Sequence, residues 1–123
     1  MWKVKKSLLE DALQASENYL PDEFMCFLGG DKKKQEITEI VLLPTYNSKN
    51  SASVNLMNAP IDDTIVGTLH SHPNGYSNSS TADKKFFENY ELNIIIGLTK
   101  KDDFNANFSF YDNKGNKTTI ELL

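Results

Sequence analysis

Apolar residues change their spacing several times along this chain, and each change marks an element. Leu9, Ala12, Leu13, Ser16 and Leu20 recur at helical spacing behind Ser7-Leu8-Leu9-Glu10. That tetrapeptide reads as a capping box, in which serine and glutamate satisfy amide donors of the first turn. Pro21 ends the predicted helix. Phe24 to Leu28 is then a continuous apolar run closed by Gly29-Gly30, the pattern of a buried strand. Ile37 to Leu43 is a second, rich in β-branched residues and leucine and stopped by Pro44. Ala52 to Met57 and Ile65 to Leu69 predict a third and a fourth strand, and Asn93 to Leu98 a strongly apolar later one. A second helix is expected to begin near Ser80 and to bury Phe86, Phe87 and Tyr90. Asn107 to Tyr111 and Lys117 to Leu122 flank Asp112-Asn113-Lys114-Gly115, a turn sequence that predicts a hairpin.

Helix, several strands, helix and three strands make an α+β fold: a mixed, mostly antiparallel sheet packed by helices. The most polar stretch, Ser48 to Ser53, is too short to separate domains, and no repeat is visible, so residues 1–123 read as one domain. At 123 residues the chain can bury a core without disulfides, and its lone Cys26 fits a reducing compartment. No apolar run approaches the roughly 20 residues of a membrane span, and Met-Trp-Lys-Val-Lys-Lys lacks the apolar centre of a signal peptide. A cytoplasmic protein is the expectation. The net charge is −4, and carboxylates interrupt the small lysine clusters, which argues against nucleic acid. Trp2, Phe86, Phe87 and Tyr90 read as core or helix-face aromatics.

Candidate chemistry enters with the chain's two histidines, in His70-Ser71-His72-Pro73. Alternate residues of a strand share a face, so two imidazoles at the end of the Ile65–Leu69 strand point one way. They make half of a zinc site, and zinc then needs another protein ligand. Asp83 is a candidate, because Pro73 and Gly75 turn the chain back. Ser80-Thr81-Ala82-Asp83 equally fits helix capping, with Ser80 as N-cap and Asp83 favoured by the helix dipole. The helical zinc-protease pattern His-Glu-x-x-His is absent. Spacing alone leaves both readings open.

The motif resembles that of the JAMM metalloproteases, the catalytically active (MPN+) branch of the MPN domain. Their signature is an upstream glutamate, then His-Ser/Thr-His-Pro, six residues, Ser, two residues and Asp. Here His70-Ser71-His72-Pro73 is followed by Asn74 to Ser79, then Ser80, Thr81-Ala82 and Asp83. Glu23, in Pro21-Asp22-Glu23-Phe24, stands where the family places its glutamate, and Gly67-Thr68-Leu69 looks like the usual lead-in. The resemblance covers nearly the whole chain. It implies the JAB/MPN, cytidine-deaminase-like fold. It also implies one Zn²⁺ per chain on His70, His72 and Asp83, with a bound catalytic water. Glu23 would carry that water's proton to the leaving amine, and Ser80 would donate to the developing oxyanion. Ser71 would have an orienting duty.

The reaction so implied is isopeptide hydrolysis between the C-terminal glycine of a ubiquitin-like modifier and a lysine amine. The modifier's tail would add as a strand along a segment from about Tyr46 to Asp63, which otherwise reads as a surface loop with one short strand. The chain lacks room for the insertions of relatives that recognise ubiquitin chains. It resembles the short archaeal and bacterial members, deubiquitinase-like or desampylase-like. An alternative substrate is a β-grasp sulfur carrier with an adduct on its C-terminal glycine. Ser79 replaces a proline frequent in the family, which leaves the loop less stiff. Two other classes compete. A non-catalytic MPN scaffold is disfavoured by retention of Glu23, His70, His72, Ser80 and Asp83. A cysteine hydrolase would need Cys26, which sits within an apolar run where an inert thiol is expected. Homodimers occur in the family, and nothing in this sequence demands one.

Overall fold

Strand Ile65–His72, which carries both histidines, lies near the middle of a seven-stranded mixed sheet. The computed structural model describes residues 1–42, 46–48, 51–53, 64–73, 81–98 and 108–123. In chain order the elements are β1 (Trp2–Val4), α1 (Lys6–Asn18), β2 (Met25–Asp31), β3 (Glu36–Val41), β4 (Tyr46–Ser48), β5 (Ser51–Ser53), β6 (Ile65–His72), α2 (Thr81–Phe87), β7 (Leu92–Gly97), β8 (Phe108–Tyr111) and β9 (Ile120–Leu122). The sheet runs β8-β7-β6-β2-β3-β1-β9, and β4 pairs with β5 apart from it. The β2–β3, β2–β6, β7–β8 and β4–β5 ladders are antiparallel; β1–β3, β1–β9 and β6–β7 are parallel. The α+β arrangement with a mixed sheet is as expected, although within the seven-stranded sheet three pairings are antiparallel and three parallel. No helix among the described residues is long and apolar enough to cross a membrane.

The sheet curls. At one edge the Thr118 amide donates to the Phe110 carbonyl at 2.9 Å, and two residues later Ile120 pairs with Trp2 at the other edge. Two extended residues span only about 7 Å, so the two edges lie side by side. α1 fills the hollow: Leu8, Leu9 and Ala12 share one core cluster with Val4, Phe24, Cys26, Leu28, Leu69, Ile94 and Ile96. Ile95 faces the other way and packs with Phe87 and Tyr111. With both faces covered, all six β7 residues are buried, which is why Asn93 to Leu98 shows no alternation. Each isoleucine so buried contributes about 1.5–3 kcal/mol.

Several local expectations give way to tertiary contacts. Ser7 does not cap α1. Its N-cap is Lys5, without a side-chain bond, because the Lys6 amide donates to the Leu123 carbonyl at 2.9 Å and the helix starts early. Leu20 lies beyond the helix in the turn and is 47% exposed. Gly29 and Gly30 do not end the second strand but carry it through a bulge, where a Cβ on Gly30 would sit 2.0 Å from the Glu36 carbonyl oxygen. The Asp112–Gly115 turn forms, yet its hairpin is a single bridge, Tyr111 to Lys117, before the chain leaves for β1. Strand β1 was not expected at all. The run from Val54 to Met57 and the Phe86 side chain lie outside the described residues.

Candidate metal centre

β6 lies between β2 and β7, and that fixes its histidines. His70 is opposite Met25 on one side and Ile95 on the other, and His72 is opposite Gly97. A bulge between Leu28 and Gly29 makes Val66 an extra residue, so Val66 and Leu69 both face α1 and His70 faces away from it. That face is covered by α2. Asp83 and Phe87 are four residues apart and share one stripe of the helix. Phe87 is buried with its ring 6.3 Å from that of His70, and Asp83 reaches both histidines. The strand extends further than expected, so His72 is its last residue rather than the start of a loop.

The three donor groups form a triangle whose third corner is the Asp83 carboxylate, one oxygen towards each histidine. His70 Nε2 and His72 Nε2 are 3.2 Å apart, His70 Nε2 is 3.2 Å from Asp83 Oδ1, and His72 Nε2 is 3.5 Å from Asp83 Oδ2. Ligands at about 2.0–2.1 Å from a tetrahedral zinc are about 3.3–3.4 Å from one another. The donor set fits zinc in element type, and with one atom taken from each residue the donors lie within 4.8 Å of one another, close enough to share one ion. Two imidazole nitrogens can share a hydrogen bond only if one carries the proton, whereas one divalent cation satisfies all three donors at once. Among the described residues this is the group of side chains suited to a metal ion.

Glu23 stands outside the triangle. It precedes Met25 by two residues, and Met25 is opposite His70, so continuing the antiparallel register sets Glu23 opposite His72. Two bonds hold that continuation: the Ser71 amide donates to the Phe24 carbonyl at 2.9 Å, and the Phe24 amide donates to the Ser71 hydroxyl at 2.8 Å. Ser71, fully buried between the two histidines, thus ties the glutamate's strand to theirs. Ser71→Ala leaves the buried Phe24 amide without its acceptor, and the expected cost is about 1–3 kcal/mol of stability. A denaturant titration reads this directly; an unchanged midpoint would show that the bond contributes nothing.

Ser80 and the loop from Asn74 lie outside the described residues, as does most of the Tyr46–Asp63 segment. Within that segment β4 and β5 pair as a hairpin, Tyr46 opposite Ser53. Cys26 is 1% exposed and belongs to the α1 side of the sheet, opposite the face of His70. Burial pushes its thiol up to about 12, so it holds its proton at neutral pH and is no nucleophile. One polar group escaped sequence reasoning. Asn93 is completely buried; its Oδ1 accepts from the Thr68 hydroxyl at 2.6 Å, and its Nδ2 donates to the Tyr90 carbonyl at 2.9 Å. The available signal was an amide at the head of an otherwise apolar run.

Comparison with known proteins agrees with this geometry. Residues 5–111 match the family of prokaryotic homologues of the JAB domain. A probable metalloprotease of Haloferax volcanii is 32% identical over 130 aligned residues, which take in 98% of this chain and 78% of that protein. Among solved structures, a JAB1/MPN domain protein of Archaeoglobus fulgidus superposes with a TM-score of 0.73 at 28% identity, covering 98% of each chain. A structure described as a JAMM metalloprotease-like zinc site in the proteasome and signalosome gives 0.74 at 24% identity, over 100% of this chain and 98% of that one, a likeness of fold.

Proposed function

Because the chain belongs to the JAMM/MPN+ metalloprotease family, as a prokaryotic homologue of the JAB domain, we propose that it is a zinc-dependent isopeptidase. Its substrate bond joins the C-terminal glycine of a ubiquitin-like modifier to a lysine amine. The coarser part of this reading, a metal-dependent hydrolase, rests on the family. The observation that supports the rest is the grouping of His70, His72 and Asp83, together with the Ser71–Phe24 bonds that tie the neighbour of Glu23 to the strand of the histidines.

His70, His72 and Asp83 would hold the zinc, which when bound would supply a water acidified to near-neutral pKa and polarise a carbonyl. The residues do the remainder. Glu23, at the strand position opposite His72, accepts the nucleophile's proton and returns it to the leaving amine. Phe87 packs beside the His70 ring and gives that imidazole an apolar neighbour. The Ser71–Phe24 bonds hold the proton carrier in register with the ligands. Ser80 donates its hydroxyl to the developing oxyanion. The modifier's tail lies as an added strand along the Tyr46–Asp63 segment, to which β4 and β5 belong.

The test uses a ubiquitin-like domain whose diglycine tail is joined to the ε-amine of a fluorescent lysine peptide, beside a linear fusion of the same parts. Zinc-dependent release from the branched conjugate, abolished by a chelator and restored by zinc, is the expected result. Preference for the linear fusion would remove the isopeptidase reading, and zinc binding with no release from either would leave the sulfur-carrier substrate in its place.

A further inference from the structure

α2 has only seven residues, too few to hold a helix without tertiary support, so whatever seats it decides where Asp83 lies. Its C-terminal half is held by apolar contact: the rings of Phe87 and Tyr111 stack with centroids 5.6 Å apart, beside Ile95. Just past the helix, Asn93 holds the Tyr90 carbonyl. Its N-terminal half rests on the turn after β8. A Cβ on Gly115 would meet Lys84 at Cγ (2.8 Å), Cδ (3.1 Å) and Cβ (3.2 Å). Two of these, Cβ and Cγ, are the stem atoms nearest the helix, and Lys84 follows Asp83 directly.

The turn beneath is braced by its own hydrogen bonds. Asp112 Oδ1 accepts the amides of Lys114 and Asn116 at 2.9 and 3.0 Å, and the Gly115 amide donates to the Asp112 carbonyl at 3.1 Å. Gly115 itself has φ +80° and is buried, a backbone state that glycine adopts without strain.

We infer that Gly115, more than thirty residues from the ligand motif, is a positioning residue for Asp83: the bare backbone there lets α2 settle close enough to close the donor triangle. The inference rests on the zinc-site reading above. Any side chain at this position lifts Lys84, and with it Asp83, away from His70 and His72. The site then keeps two imidazoles and loses part of its carboxylate.

Gly115→Asn is the first variant, because asparagine tolerates positive φ and so adds bulk with little backbone strain. Zinc affinity is measured by chelator competition, thermal melting reports the fold, and the visible spectrum of the cobalt(II)-loaded protein reports coordination geometry. The dissociation constant for zinc is expected to rise about 10-fold to 100-fold, with a changed cobalt spectrum in a folded protein. Adding Lys84→Ala removes the stem that collides and is expected to restore both readouts towards wild type. Zinc affinity and spectrum unchanged in folded Gly115→Asn would overturn the inference. So would loss of fold in both Gly115→Asn and the milder Gly115→Ala without recovery on Lys84→Ala, which would make Gly115 a residue of the fold alone. A wild-type protein that binds no zinc would instead overturn the metal-site reading, a separate outcome.

Discussion

Replacing Glu23 with glutamine stops turnover while the protein keeps its zinc. Glutamine matches glutamate in shape and still hydrogen-bonds, but it has no basic oxygen to take a proton. General acid–base catalysis of this kind contributes about 10²–10⁴-fold, so kcat is expected to fall by that factor. Zinc content should hold, because the triangle of donor groups comprises His70, His72 and Asp83 and does not include Glu23. The fold should hold too, since Glu23 is only half-buried and its neighbour Phe24 keeps both backbone bonds to Ser71. The paired measurement is turnover on the branched conjugate and metal stoichiometry by native mass spectrometry. Normal turnover removes Glu23 from the mechanism. Loss of zinc together with turnover makes it a ligand.

His72→Ala is the complementary experiment, and its effect falls on metal first. One of three donors disappears, and the other two are left 3.2 Å apart with no third corner. Partners that merely support a metal ligand cost about 10-fold to 100-fold in affinity when removed, so loss of a ligand should exceed about 100-fold. His72 is a better choice than His70 for this purpose. His70 is buried against Phe87 and its loss opens a cavity, whereas His72, at the end of its strand, is less deeply buried. Native mass spectrometry should show one zinc per wild-type chain and none in the variant. Unchanged zinc in a folded variant would mean that the ligand set is wrong.

Both experiments target residues that the sequence singles out, on two different grounds. Alternation along a strand is enough to aim His70 and His72 together, but spacing left Asp83 open between ligand and helix cap, and only the resemblance to the JAMM motif brought in Asp83 and Glu23. Elements closed by distant parts of the chain were not legible. Ser7 looked like a cap because the Leu123 carbonyl that serves the helix start lies at the far end of the sequence. Trp2 to Val4 is too short to announce a strand and becomes one by pairing with Ile120 to Leu122. Gly29-Gly30 read as a stop because the Glu36 carbonyl that crowds Gly30 is invisible from composition. Asn93 read as a strand residue because its partners, Thr68 and Tyr90, belong to other elements.

The curled sheet has a consequence for the order in which the molecule can be assembled. Glu23, both histidines, Asp83 and the strands beneath them all lie between residues 23 and 97. The β1–β9 ladder, which brings the far edge of the sheet beside β8, pairs Trp2 with Ile120 and Val4 with Leu122. On a ribosome, every protein group assigned to the chemistry has been synthesised about twenty residues before that ladder can begin to form. The groups of the working centre thus precede closure in the chain, while Tyr111 and Gly115, on which α2 rests, come between the two.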